Sequence, residues 1–271
     1  MISDITIGQY YKGNSFIHKL DARAKILLTV FFIVMIFACK NFFSLALTLI
    51  FVVASVFLSA VPVKMYLKSL KPIIPIVIFT AIINTIYTGG ETVLYALGPI
   101  TFTGEGLMTA FFMALRIILL IISSSILTYT TVPTMLTDAI EKLLSPLKIF
   151  KIPVQSLAMM MTLALRFIPT LIEEIEKITN AQKARGADFE SGKLLQRIKA
   201  VIPIIIPLVV SSFRRAAELA DAMNCRCYTG GNSRTRMKQM KFGLKDFVSM
   251  FIFSAGVAGV VLLNIKFGAV V

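Results

Sequence analysis

Two arginines stand out by their settings. Arg185 ends the run Asn180-Ala181-Gln182-Lys183-Ala184-Arg185-Gly186, and Arg226 sits in Asn224-Cys225-Arg226-Cys227-Tyr228. Each lies near the far end of a long segment, 153–186 or 193–228, that starts apolar, contains proline and finishes charged. A guanidinium keeps its charge and presents a planar fork that pairs a carboxylate bidentately, which an ammonium cannot do. An arginine at the tip of a long helix can therefore grip an acidic groove on a partner protein. A plainer role also accounts for each arginine alone, because a cation at a helix C-terminus gains ~0.3–1 kcal/mol from the helix dipole. The twinning favours the gripping role.

Other residues with chemical potential are few. Cys225 and Cys227 form a C-x-C pair with no further Cys or His nearby in sequence to complete a metal shell. They read as free thiols in a reducing compartment. His18 is the only histidine, and there is no Gly-rich phosphate loop or triad spacing. An enzyme is therefore not expected, nor a metal or cofactor held by this chain. Met159-Met160-Met161 reads as ordinary packing or as an adaptable contact surface, since methionine repacks easily.

These residues must be positioned by a membrane scaffold. The chain has 271 residues, 57% of them hydrophobic, well above the ~45–50% of a soluble domain. Its apolar runs repeat, as in a multi-span membrane protein. No cleavable N-terminal signal is evident. The net charge of +14 fits a positive-inside bias and anionic lipid headgroups. Nucleic acid is not expected as a partner, because no basic face is interleaved with aromatics.

Along the chain, residues 26–39, 42–61, 72–87, 107–132 and 247–265 read as five spans. The first is short, and the third, broken by Pro72 and Pro75, is open to a re-entrant reading. Lys12, Lys19, Arg23 and Lys25 place the N-terminus in the cytoplasm, which puts the C-terminus outside. Residues 88–106, with acidic side chains and Gly/Pro turn signals, read as an outside loop. Arg116 and Asn84 are the main polar residues within spans. That is thin for a translocation path, so a self-contained channel or secondary transporter is the weaker alternative. Arg116 is expected to serve a structural ion pair or a backbone carbonyl.

Residues 133–150 have the spacing of an amphipathic helix closed near Ser145-Pro146 and lying on the inner membrane face. The first long helix, 153–185, would extend ~48 Å, with a kink at Pro169. Residues 188–192 form a turn, and the second helix carries Pro203 and Pro207 before a stop at 230–233. The basic run Arg234, Arg236, Lys238, Lys241 and Lys245 precedes the last span. The expected organisation is a four-span region at 1–132, a cytoplasmic coupling region at 133–242 and a final helix at 243–271. A seven-span rival would make the long helices a hairpin. Against it, 200–213 is too short for a ~20-residue span, and Arg166 would cost ~2.5–3.5 kcal/mol inside one.

The chain resembles the T component of energy-coupling factor (ECF) transporters over nearly its whole length. The resemblance is carried by Ala184-Arg185-Gly186 twinned with Arg226, and by the segment from Gly13 to Lys25. That segment is similar to the family's S-x-x-H-x-L-D-P-R-x-K opening, with Ala22 where proline is usual. Glu218-Leu219-Ala220-Asp221-Ala222-Met223 resembles the approach to the second Ala-Arg-Gly motif, which here reads Cys225-Arg226-Cys227. A cysteine is penalised in the left-handed conformation that closes a helix, so the second helix is expected to run on toward Gly230. The resemblance implies an all-α polytopic membrane protein with about five transmembrane helices plus cytoplasmic amphipathic coupling helices. It implies a cell-membrane subunit of a vitamin importer whose tips at Ala184, Arg185, Gly186, Cys225, Arg226 and Cys227 dock on two ABC ATPase subunits. Those partners would bind ATP and Mg. A substrate-binding S component would pack on the same scaffold, with Met159, Met160 and Met161 as its candidate contact.

Overall fold

The computed structural model describes residues 10–88, 93–97, 100–151, 153–187, 194–228 and 242–268. The expected turn at 188–192, the helix stop at 230–233 and the basic residues Arg234, Arg236, Lys238 and Lys241 lie outside them. The helices are α1 (Ala22–Ala38), α2 (Phe42–Ser59), α3 (Val63–Leu70), α4 (Ile74–Tyr87), α5 (Gly104–Thr130), α6 (Pro133–Leu143), α7 (Val154–Ala184), α8 (Leu194–Cys225) and α9 (Leu244–Phe267). A 3-10 turn at Ser145–Phe150 follows α6. The architecture is that of an all-α polytopic membrane protein, with one addition. Inside the segment read as a loop, β1 (Val93–Leu97) and β2 (Ile100–Thr103) pair antiparallel with Leu97 opposite Ile100. Val, Ile, Thr and aromatic residues favour this pairing. Thr103 then starts α5: its Oγ1 accepts from Gly106 N at 3.1 Å and donates to Thr88 O at 2.7 Å.

The described residues group into two units. One draws on Gly8–Ala139 and Gln239–Val271, the other on Ile140–Lys238. In the first unit, α1, α2, α5 and α9 share a core of Phe32, Met35, Ile36, Leu45, Val52, Phe112, Leu119 and Val260. Phe253 meets Phe32 edge to face at 4.5 Å between centroids and Phe51 at 5.7 Å. Gly256 permits this approach of α9 to α2, since a Cβ there would stand 2.8 Å from Phe51 Cζ. A second cluster, Val61, Tyr66, Ile126 and Tyr129, docks α3 on α5. Tyr66 and Tyr129 pack edge to face, and the Tyr129 hydroxyl donates to Met65 O at 3.1 Å.

Three polar side chains of this unit's apolar helices bond backbone groups. Arg116 Nη2 donates to Cys39 O at 2.6 Å, at the C-terminus of α1, so the carbonyl-partner role expected of it holds. Asn264 joins it there, donating to Ala38 O at 2.6 Å and accepting from Lys40 N at 3.3 Å. Asn84 Nδ2 donates to Thr80 O at 2.8 Å within its own helix.

Span assignment differs from the sequence expectation. By length and composition, α2, α5, α7, α8 and α9 can each cross a membrane, and α3 with α4 would form a sixth span bent by 57°. The helix at the first expected span, α1, has only 17 residues, about 25 Å at ~1.5 Å per residue. The third expected span, 72–87, forms as α4, which alone has only 14 residues; the lysine-bearing stretch before it is the separate amphipathic α3, broken from α4 around Pro72, which has no N–H to give. The long helices α7 and α8 qualify because their first halves are apolar, although their second halves are charged. Apolarity alone therefore does not separate a span from a lever lying along the surface.

Candidate functional site

In the second unit, α7 and α8 run 31 and 32 residues, each on the order of 47 Å at ~1.5 Å per residue. Pro169 lies inside α7, and Pro203 and Pro207 inside α8, without ending either helix.

The same three cap bonds close both helix ends, and Arg185 N adds a longer one to Ala181 O at 3.3 Å. At the end of α7, Arg185 N donates to Gln182 O at 3.1 Å, Gly186 N to Lys183 O at 3.0 Å and Ala187 N to Gln182 O at 3.0 Å. At the end of α8, Arg226 N donates to Met223 O at 3.1 Å, Cys227 N to Asn224 O at 2.9 Å and Tyr228 N to Met223 O at 3.0 Å. Both are the doubly bonded cap in which a left-handed residue reverses the chain and satisfies the last carbonyls. The left-handed residue is Gly186 with φ 87° in one and Cys227 with φ 55° in the other. The expectation that α8 runs on toward Gly230 is therefore corrected: it ends at Cys225 and turns at Cys227. Three backbone bonds at ~0.5–1.5 kcal/mol each outweigh a left-handed penalty of ~1–2 kcal/mol.

This geometry places Arg185 and Arg226 identically, one residue before the reversal, and both are exposed. Among the described residues neither guanidinium has a hydrogen-bond or ion-pair partner. Ala184 and Cys225 are the last helical residues and, like Cys227, are exposed. The twinning continues inward. Arg215 Nη2 meets Glu174 Oε2 at 3.2 Å, joining α8 to α7. Arg185 stands eleven residues beyond Glu174, and Arg226 eleven beyond Arg215, so each arginine sits on an arm of ~16 Å from the same joint. Sequence reasoning missed this pair, although its residues share the 41-residue offset that relates the two tips. Met159, Met160 and Met161 lie in the first half of α7, half-buried to exposed. They are ~36 Å along the helix from Arg185, so they form no common site with the tips.

The segment quoted from the N-terminus forms a polar staple in the first unit. Asp21 caps α1, accepting from Arg23 N at 2.9 Å, and holds the Arg23 guanidinium at 3.0 Å. Arg23 in turn lies 4.2 Å over the Phe242 ring. His18 Nε2 donates to Tyr11 O at 2.9 Å, and its Nδ1 lies 2.6 Å from Ser15 Oγ. Lys25, buried, donates from Nζ to Thr130 O at 2.8 Å and His18 O at 3.2 Å. Asp246, which the sequence reading passed over, accepts from Asp21 N at 2.9 Å and from Gly243 N at 2.7 Å. The motif thus fastens the starts of α1 and α9 to the end of α5. Its only sequence signal on α9 is an acidic residue three positions after Gly243, where a helix begins.

Residues 13–237 match the family described as CbiQ, cobalt transport protein. A protein of Ruminiclostridium cellulolyticum named energy-coupling factor transporter transmembrane protein EcfT is 51% identical over 267 residues, which cover 98% of this chain and 100% of its own length. A Clostridium kluyveri protein of the same name is 51% identical over 250 residues, 92% of this chain and 93% of its own. In Listeria monocytogenes, a protein named energy-coupling factor transporter transmembrane protein EcfT 1 is 41% identical over 264 residues, 97% and 99% of the two chains.

Proposed function

The chain belongs to the CbiQ family of cobalt transport proteins, and from that premise we infer that it couples ATP hydrolysis in partner subunits to movement of a substrate-binding membrane partner. It is a multi-pass membrane component of a transporter. In this reading the region 133–242 is the coupling region, on the cytoplasmic side with the N-terminus, and α7 and α8 are its levers. Arg185 and Arg226 each enter an acidic groove on one of two ABC ATPase subunits, which hold the ATP and Mg. Met159, Met160 and Met161 offer the adaptable surface for the S component.

The observation that carries the reading is the matched pair of tips. Two exposed guanidinium groups at equal distances from one inter-helix joint suit two copies of a similar socket. The caps fix the backbone beneath each arginine, so little ordering is left to be done on docking. A self-contained channel or secondary transporter is less well supported, because Asn84 and Arg116 both bond backbone carbonyls.

The test is co-purification from cells expressing the whole transporter. Arg185→Ala and Arg226→Ala should each leave the chain in the membrane with its S component. Each should weaken ATPase capture at least ~30-fold, from ~2–5 kcal/mol for a truncated interfacial charge pair. Arg→Lys should restore part of the binding, because the charge remains while the fork is lost. Normal assembly and uptake in the double alanine variant would reduce both arginines to helix caps and sink the reading.

A further inference from the structure

The first unit contains a cavity of about 140 Å³. Leu28 and Phe32 of α1 line it together with Ile126 and Leu127 of α5. Among its lining residues Leu58 of α2 and Val248 and Ile252 of α9 are at least half exposed, so they mark its mouth between those helices. Its size is comparable to the ~150 Å³ apolar cavity that accepts benzene, room for on the order of six carbons.

The wall looks polar in sequence but not in chemistry. Five hydroxyls line it, and each donates to a carbonyl of its own helix: Thr29 to Lys25 O, Ser55 to Phe51 O, Ser123 to Leu120 O, Thr130 to Ile126 O and Ser249 to Lys245 O, all within 2.9 Å. The Lys25 ammonium is engaged by Thr130 O and His18 O. The hydroxyl protons and two of the three Lys25 N–H groups are therefore committed to backbone carbonyls, so these wall groups carry most of their hydrogen bonding already and can line a hydrocarbon without being left unpaired.

The cavity also has a charged end. The start of α1, the end of α2, the end of α5 and the start of α9 all contribute to it. Lys19 directly precedes the lining residue Leu20, and Lys245 stands three and four residues before Val248 and Ser249, on the same face of α9. Both lysines are exposed. The Cα–Cβ bond of a helical residue tilts toward the helix N-terminus, so Lys245 starts off away from Val248 and Ile252 at the apolar mouth. Arg23 is held by Asp21 and does not enter this role.

We propose that the cavity binds the headgroup-proximal part, about six carbons long, of one acyl chain of an anionic phospholipid, with the phosphate held by Lys19 and Lys245. The lipid reaches it from the bilayer through the gap between α2 and α9. Filling it ties α9 to α2 beside the polar staple.

The test uses the full chain in phosphatidylcholine vesicles doped with phosphatidylglycerol that carries a diazirine within about the first six carbons of one acyl chain. Photolabelled residues are mapped by mass spectrometry, and the same probe on phosphatidylcholine is the control. The expected labels are Leu28, Phe32 and Leu127, above those on the outward Phe57 and Phe251, with phosphatidylglycerol ahead of phosphatidylcholine. Lys19→Gln with Lys245→Gln should lower the phosphatidylglycerol labelling about 25-fold, at about fivefold per lysine, and leave the phosphatidylcholine labelling unchanged. Ser123→Leu should block labelling with both probes; if that variant does not fold, the lysine pair decides. Labels no stronger than on Phe57, equal labelling by the two lipids, or no response to the lysine changes would each overturn the proposal. So would displacement of the probe by a partner side chain seated in the cavity of the assembled transporter.

Discussion

Replacing Gly186 by alanine and Cys227 by glycine exchanges the characters of the two tips, and the structure predicts unequal effects of opposite sign. Gly186 has φ 87°, and a Cβ built on it meets nothing within 4 Å. Alanine there causes no clash, so its cost is torsional, ~1–2 kcal/mol for an L-residue in the left-handed region. The stiffer unfolded chain returns ~0.4–1 kcal/mol, leaving a net loss near ~1 kcal/mol, or about fivefold in the local closing equilibrium. At Cys227 the direction reverses. Its φ of 55° is close to the ideal left-handed value of about 57°, so glycine relieves less strain than alanine creates at Gly186. Glycine also loosens the unfolded chain, so the net gain is no more than about twofold.

Amide hydrogen exchange at Ala187 and Tyr228 reads this directly, because their N–H groups close the two caps onto Gln182 and Met223. Gly186→Ala should speed exchange at Ala187 about fivefold and leave Tyr228 alone. Cys227→Gly should slow Tyr228 slightly. If Gly186→Ala leaves Ala187 unchanged while Cys227→Gly speeds Tyr228, the ends are not capped alike, and the twin-socket reading loses its footing.

Arg116→Leu should lower thermal stability by ~1.5–3 kcal/mol, the worth of a hydrogen bond from a charged group, with Arg116→Lys in between; unfolding in detergent at unchanged midpoint would show that the Cys39 contact contributes nothing. Asp246→Ala removes the acceptor of two backbone N–H groups and should cost ~2–6 kcal/mol at ~1–3 per orphaned donor, read as faster proteolysis at the start of α9, whereas Asp246→Asn keeps one acceptor and should cost less. Gly256→Val places carbon against the Phe51 ring and should cost ~1–3 kcal/mol by overpacking, checked by the same melt; an unshifted melt would mean that α2 and α9 are not in close contact. The thiols provide a topology test without engineering, since Cys225 and Cys227 are exposed and Cys39 is buried. An impermeant maleimide should label them only after intact cells are opened, and labelling from outside would exclude a cytoplasmic tip.

The sequence made the helices legible because their signals are local. Asp21 before an apolar run, Gly186 after a charged one and Pro at helix starts are each readable from neighbours. The spans were less so, because length and apolarity describe α7 and α8 as well as they describe α2 and α5. In the proposed coupling role, what would set a lever apart from a span is where its charged half meets another element. The Glu174–Arg215 contact belongs to that kind of information. It was within reach, since it repeats the offset of the two tips, but two charges within long charged stretches announce no partner.

The polar staple was out of reach for a different reason. Asp21 and Asp246 are 225 positions apart, and two carboxylates of like charge are not an obvious pairing. The link works because the Asp21 backbone N–H, not its carboxylate, is the donor, while Arg23 engages the Asp21 carboxylate. Side-chain types in a sequence cannot specify that division of labour. Cys227 makes the matching point for the backbone. Residue preference argues for glycine, and it is outvoted by the sum of three hydrogen bonds that the α8 terminus would otherwise leave unmade. A motif can therefore lose its glycine and keep its turn, provided the cap bonds are retained, and Arg226 stays where Arg185 is. The arginine is then the part of the tip that substitution should not spare.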